Sequence, residues 1–443
     1  MAILLILTSM AVGWQRQREA SAEQQAAQEL DYRDWLNQDI RHPHDAAHQG
    51  MHVFKPAPTL SIVDPGISRY AGTTVWLQAH RQSDLKFRPA QDATGLQRFG
   101  DFSAAWVLQI LVPLLVIVFG FNAFAGEREQ GTLRQTLSLG VPAWRLLWGK
   151  ALALGAIIGT LLIPAVIAAG FAVVLGAETG GRADAMIRLA WAAAGYAVYF
   201  GIIIYLVLGV SALTPSSRVS LIALIAFWIG TAVLAPRAAS DLARRLHPTP
   251  AKKDFLAKME TDLSAEAERI WQEKFGVKAK WSPDLPLNKW GIALRVDDQL
   301  GYAVYRRHYD ALWDTYERQQ RVQEWAGLVV PLLALRSFSM GLAGTDFAHH
   351  RHFTEAAEEH RHLIQDLMSE DLVKHADTLD HQHFAYQAGK DLWKTVPQFQ
   401  YRLPAAGWAL RRNWPGLAVL TAGLILSFAF SAAAVSRLRV VQG

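Results

Sequence analysis

Five long apolar runs decide what this chain can be. Trp106–Ala125, Ala151–Ala177, Leu189–Leu213, Val219–Pro236 and Pro415–Val435 each approach or exceed the ~20 residues a helix needs to cross a hydrocarbon core of roughly 30 Å. In lipid every backbone polar group must be satisfied within the protein, so runs of this length read as membrane helices. A sixth run, Met1–Trp14, falls short of that length. It has neither the basic start nor a clear cleavage site of a secretory leader, so it reads as a first span whose recorded start lies too far downstream. A cleaved or degenerate leader is the alternative. The expected fold is an all-α polytopic membrane protein with six transmembrane helices.

Six spans divide the polar sequence into a first insertion at 15–104, spans two to five within 105–236, a second insertion at 237–413, span six at 414–436 and a tail at 437–443, with 1–14 as span one. Only short loops obey the positive-inside bias. Those on one side carry Arg128, Arg134, Arg145, Lys150, Arg218, Arg437 and Arg439 against Glu127 and Glu129, whereas the loop Glu178–Arg188 is balanced. The bias places the short loops in the cytoplasm; the expected location is a bacterial inner membrane. Both insertions then lie outside the cytoplasm, as one large, mainly helical extracytoplasmic domain. Trp14, Trp106, Trp144, Trp148, Trp191, Trp408 and Trp414 fall near the predicted interfaces, where an amphipathic ring is favoured.

Within the insertions, Ala20–Ile40 has no Pro or Gly and reads as helix, while Thr73–Leu77 is β-like. The second insertion predicts helices from Pro250 to Phe275, over Val296–Trp325, and from Asp346 to about Leu379. Between the last two, Leu328–Gly344 is apolar but carries Pro331, Arg336 and two glycines. It reads equally as a re-entrant or interfacial segment and as a buried helical hairpin inside the external domain.

What the spans lack narrows the function. None has Asp, Glu, Lys, Arg or His in its interior, whereas ion-coupled transporters need ionisable groups near the midplane and haem proteins need axial ligands in the bundle. The chain has no phosphate-binding loop: Trp148–Ala151 contains Gly-Lys without the upstream glycine or the following Ser/Thr. If this protein moves something, a separate ATPase must supply the energy. Cysteine is absent, which removes disulfides, thiol nucleophiles and thiolate metal sites. The net charge of +5 comes without a Lys/Arg run and reads as membrane-end charge, with no nucleic acid as partner.

One short polar stretch stands out between the second and third spans: GEREQGTLRQTLSLG, Gly126–Gly140. Gly126 and Gly131 relax the backbone where a span ends, Thr132 is positioned as an N-cap, and Leu133 and Leu137 share one face of a short helix at i, i+4 spacing. Gly140 and Pro142 stop it and start the next span. The pattern describes either a short amphipathic helix that a partner can grip or a tight solvated hairpin with incidental charges. Here the chain resembles a known family. The run ERExGTL followed by LSxGVxxWRLLxGK, within Glu127–Lys150, is similar to the loop between the second and third spans of ABC-2-type transporter permeases. RHPHDAAHQGMHVFKP, DPGISRYAGTTVWLQAHRQ, QRFGDFSAAWVLQILVPLL and LAGTDFAHHRHFTEAAEEHR resemble a subgroup with large external insertions. The resemblance implies that 127–140 is a coupling helix docked on an ATP-binding subunit, with Glu127, Arg128, Glu129, Gly131, Thr132, Leu133 and Leu137 as its contact. It also implies a second permease protomer, identical or related, and ATP and Mg held by the partner ATPase with no cofactor in this chain. Lipid and an extracytoplasmic partner complete the expected company. No catalytic residue is expected. Alternatives are a mechanotransmitter that acts on an external partner without moving cargo, and a membrane-anchored metal-binding or metal-delivery protein.

The fifteen histidines bear on the last alternative. His42, His44, His48 and His52 share one loop, and His349, His350, His352, His360 and His362 share one helical region. There, His352, Glu355, Glu359 and His362 fall on roughly one helical face and could offer nitrogen and oxygen ligands. No HExxH or other catalytic spacing is present. The reading is no metal site, with that quartet as the candidate set.

Overall fold

The computed structural model describes residues 1–88, 91, 102–177, 179–279, 282 and 284–438. Glu178, Pro283, Arg439 with the rest of the tail, and the opening of QRFGDF lie outside the described residues. The apolar runs do form helices, and their polar flanks stay helical with them. Among the described residues, five are long and apolar enough to cross a membrane: α3 (Ala104–Glu129), α5 (Ala143–Gly176), α6 (Arg182–Leu213), α7 (Ser217–Leu246) and α12 (Ala406–Ser436). The chain is thus a mostly helical, multi-pass membrane protein. The sixth expected span is not among the five. Met1–Trp14 and the expected helix Ala20–Ile40 instead merge into α1 (Ala2–Leu36), with Ile6 and Met10 buried against the bundle. Nothing between Trp14 and Ala20 breaks a helix, so the polar flank simply prolongs it.

Prolines shape the spans without ending them. Pro113 cannot donate to the carbonyl one turn back, and α3 widens just before it into a π-turn at Val107–Leu111. The exposed carbonyls find side chains: the Tyr199 hydroxyl donates to Gln109 O at 3.3 Å and Trp228 Nε1 to Ile110 O at 3.0 Å. Neighbouring helices commonly repair such gaps in membrane bundles. A second π-turn, Gly230–Leu234, precedes Pro236 in α7.

The polar blocks meet at one end of the bundle. Block one supplies α2 (Pro43–Gln49) and a hairpin of β1 (Met51–Phe54) and β2 (Thr74–Leu77), antiparallel with Val53 opposite Val75. Block two supplies α8 (Lys252–Phe275), α9 (Trp290–Ala326), α10 (Pro331–Ala343) and α11 (Phe347–Asp371). Trp35, Val53, Val75 and Leu77 from the first share a core with Phe353, Ile364, Met368 and Trp393 from the second, and Trp35 Nε1 donates to Trp393 O at 2.9 Å.

The ambiguous segment 328–344 becomes α10, with Leu332, Leu333, Ala334 and Leu335 in the bundle's own core. It packs on α6 and α12 of the bundle and also on α9 of the polar block, where Ser337 Oγ donates to Glu324 at 2.6 Å. Gly195 of α6 makes this possible, because a Cβ there would sit 2.6 Å from the Phe338 ring. The loops at 126–142 and 214–216 lie at the opposite end. α5 starts beside residues 126–142 and ends where Gly176 meets Trp14 and Thr59; its 34 residues span about 50 Å.

Candidate functional site

The stretch Gly126–Gly140 folds as a turn and α4 (Thr132–Ser138). Its backbone takes two left-handed residues, Gly131 at φ 75° and Gly140 at φ 80°, a conformation that favours glycine at both ends of so short a helix. Leu133 is buried in the bundle core and Leu137 packs on its edge. Thr132 is not the N-cap. That position belongs to Gly131, and the Thr132 hydroxyl instead donates to Glu127 O at 3.2 Å. The left-handed turn places the threonine one residue too far along.

The three charged residues before the helix are used within the chain. Arg128 donates from Nη2 to Ala212 O at 2.6 Å and from Nη1 to Thr214 O, at the C-terminal end of α6. Glu129 accepts from Ser217 N at 3.1 Å and from Ser217 Oγ at 2.6 Å, at the N-terminal end of α7. Each charge sits at the helix end whose dipole it complements. Glu127 pairs with Lys150 of α5 at 2.5 Å, and Lys150 also lies over the Phe124 ring at 5.1 Å. Ser211 of α6 closes the turn above, accepting from Phe124 N at 3.0 Å and Ala125 N at 3.1 Å and donating to Phe121 O at 2.8 Å. One small element therefore touches α3, α5, α6 and α7. Left facing solvent are Gly131, Thr132, Arg134, Gln135, Ser138 and Leu139, the last 83% exposed. Arg134, Gln135 and Leu139 had no part in the expected contact set, although their alternation with Leu133 and Leu137 marks them as the outer face.

A second constellation lies at the other end of the spans. Asp64, 6% exposed, accepts from Ser339 Oγ of α10 at 2.5 Å and from Gly66 N at 3.0 Å. Ser339 meets the Tyr196 hydroxyl of α6 at 3.1 Å, which accepts from Gln109 Nε2 of α3 at 3.0 Å. Burial pushes the Asp64 carboxyl above its ordinary range, against the opposing pull of the Ser339 and Gly66 donors. Farther along α6, Arg188, 2% exposed, pairs with Asp184 at 2.8 Å and donates to Pro404 O and to Leu342 O at the end of α10. His349 packs there too, its Nδ1 2.5 Å from buried Asp346. The stretches DPGISRY, VLQIL and LAGTDFAHH thus converge on one buried seam between bundle and polar domain.

The candidate metal quartet does not converge. His352 Nδ1 meets the Tyr401 hydroxyl at 3.1 Å. Glu355 accepts from Arg351 Nε at 2.7 Å. His362 stacks on Tyr302 with centroids 3.6 Å apart and meets Glu358 at 3.0 Å. Glu359 is exposed. About three turns of one helix offered the ligands, but packing turned His352, Glu355 and His362 toward different neighbours and left Glu359 in solvent.

These features define a polytopic helical membrane protein whose polar domain is fixed to its spans by a buried seam. Residues 240–402 match the family model described as a domain of unknown function (DUF3526). The match covers less than half of the chain and falls within the second polar block. Among curated proteins nothing matches.

Proposed function

We propose that this chain is the permease subunit of an ATP-driven transporter of the ABC-2 type in a bacterial inner membrane. In this reading α1 contributes the first of six spans, the polar domain is extracytoplasmic, and the arginine-rich short loops face the cytoplasm. Two ATPase subunits, which hold the ATP and Mg, dock on 127–140. A second protomer, identical or related, and lipid cover the exposed apolar faces of α5 and α7. The observation that carries the proposal is the mounting of α4. Leu133 anchors it in the bundle core, Arg128 and Glu129 tie it to the α6–α7 turn, and Glu127 ties it to α5. A push on its solvent face is delivered to four spans at once.

One observation favours a second reading, in which the chain transmits force to an external partner without moving cargo. The cavity among the spans lined by Gln109, Pro113, Tyr199 and Trp228 holds about 10 Å³, at the lower limit for a single water. A path, if one forms, therefore lies between protomers.

The test is co-purification in detergent with the ATPase encoded beside this chain, followed by ATP hydrolysis. Leu133→Asp buries a charge and is expected to unfold the site, so the informative variants are Leu139→Asp and Arg134→Glu on the outer face. Association should fall tenfold or more with thermal unfolding unchanged. If no ATPase associates, or both surface variants behave as wild type, the permease reading fails. Substrate uptake into inverted vesicles that contain both subunits separates transport from force transmission.

A further inference from the structure

We propose that His44, His48 and His80 form a binding site for a divalent ion of the zinc class, at the mouth of a cavity in the polar domain. Among the described residues these three bring one ring nitrogen each to within 4.8 Å of the others. Nε2 of His44 and Nε2 of His48 are 3.1 Å apart. Two nitrogens bound at ~2.05 Å to a tetrahedral ion stand roughly 3.3 Å apart, so this pair is already near ligand spacing. The ring centroids, 4.6, 5.0 and 5.1 Å apart, form a nearly equilateral triangle.

The backbone builds this triangle. His44 and His48 are one turn apart on α2, which puts both rings on one face. His80 comes from the far side of the hairpin. The β1–β2 register returns the chain alongside α2, where Ala79 N donates to Ala47 O at 3.0 Å. His80 itself takes φ 62°, a left-handed conformation that costs of order 1–2 kcal/mol outside glycine. That geometry turns its ring toward α2.

The surroundings suit a metal ligand. His80 Nδ1 lies 3.3 Å from Oδ1 of Asp298 on α9, a carboxylate 6% exposed. The two atoms lie close without a formed hydrogen bond, and a small turn of the ring as an ion binds Nε2 would close the carboxylate–histidine contact found behind zinc ligands. Access is open on the other side. A cavity of about 490 Å³ is lined by His48, His80, Glu260, Asp297, Tyr302 and Arg361. Three protein nitrogens and a solvent-filled cavity leave a fourth position for water or an exchangeable ligand. Because His80 faces Asp298 of block two, the ion also links the two polar blocks.

The experiment uses the full chain in detergent, purified without a polyhistidine tag, stripped with chelator and titrated with Zn²⁺ against a competing dye. One Zn²⁺ should bind per chain with a Kd in the micromolar range or tighter, and raise the temperature of thermal unfolding. His44→Ala and His48→Ala, which alter partly exposed side chains, should each weaken binding at least a hundredfold. Asp298→Asn should weaken it roughly tenfold to a hundredfold, and His381→Ala should leave it unchanged. Co²⁺ in place of zinc should give the strong visible absorption of a four-coordinate ion in wild type, lost in His80→Ala. Circular dichroism of each stripped variant confirms that the fold survives. Absence of stoichiometric binding overturns the proposal, as does binding that persists in the His44 and His48 variants.

Discussion

The two ends of the bundle are held together by different chemistry. At the α4 end, Glu127 and Glu129 are partly or fully exposed and grip helix termini and a lysine; such pairs are individually worth about 0–1 kcal/mol. At the seam, Asp64, Ser339 and Tyr196 are buried and hydrogen-bond in a chain, and buried Arg188 serves Asp184 and Pro404 O. Removing one partner there strands a desolvated group. The contrast separates an element held by exposed charge pairs and one buried leucine from a joint held by buried polar groups.

The comparison would break first at Arg188. Arg188→Leu removes a buried cation that serves Asp184 and Pro404. It should cost about 3–5 kcal/mol, read as a large drop in thermal unfolding temperature in detergent; a shift no greater than that of a surface variant would mean the seam is not a structural joint. Asp64→Ala leaves the Gly66 amide without its acceptor and the Ser339 hydroxyl with only Tyr196 and should cost about 2 kcal/mol, with Asp64→Asn milder, by the same assay.

Acid sharpens the contrast. Burial pushes His360 down to about 4, and burial with Lys55 and Arg88 pushes His350 down to about 3. Both histidines are neutral in the folded domain at pH values where the unfolded chain protonates them. Their contribution is whole above the ordinary value of about 6.5 and is lost as pH falls below it, by about 2 kcal/mol each at pH 5. Unfolding temperature should fall between pH 7 and pH 5, and His360→Leu should flatten the slope. The smallest expected effect is at the α4 end. Glu129→Ala should lower stability by about 0.5–1 kcal/mol, and, on the permease reading proposed above, weaken ATPase coupling more than that loss would suggest. Equal losses would make Glu129 a cap and nothing more.

Much of the α4 end was legible because its information is local. The i, i+4 leucines, the bracketing glycines and Pro142 all lie within seventeen residues, and the helix formed where that pattern placed it. What the pattern could not say was whether Arg128 and Glu129 face a partner or the chain's own α6–α7 turn, since Thr214 and Ser217 lie more than eighty residues away. Span ends were misplaced for a related reason. Ala406–Trp414 and Pro236–Leu246 are helical despite the flanking prolines, because hydropathy reports where lipid is and not where hydrogen bonding stops.

The sequence by itself determined that apolar runs of this length become membrane helices, that the polar residues gather into separate blocks, and that Leu133 and Leu137 would share one face if residues 132–138 turned helical. Each follows from hydrophobicity and local backbone preference. Only the tertiary structure decided that α10 enters the bundle, that Asp64 meets Ser339 across hundreds of residues, that His352 and His362 part company, and that His80 joins His44 and His48. Those outcomes depend on which distant surfaces pack together. A helix or strand period fixes the face a side chain occupies but carries no information about what the rest of the chain will bring to that face.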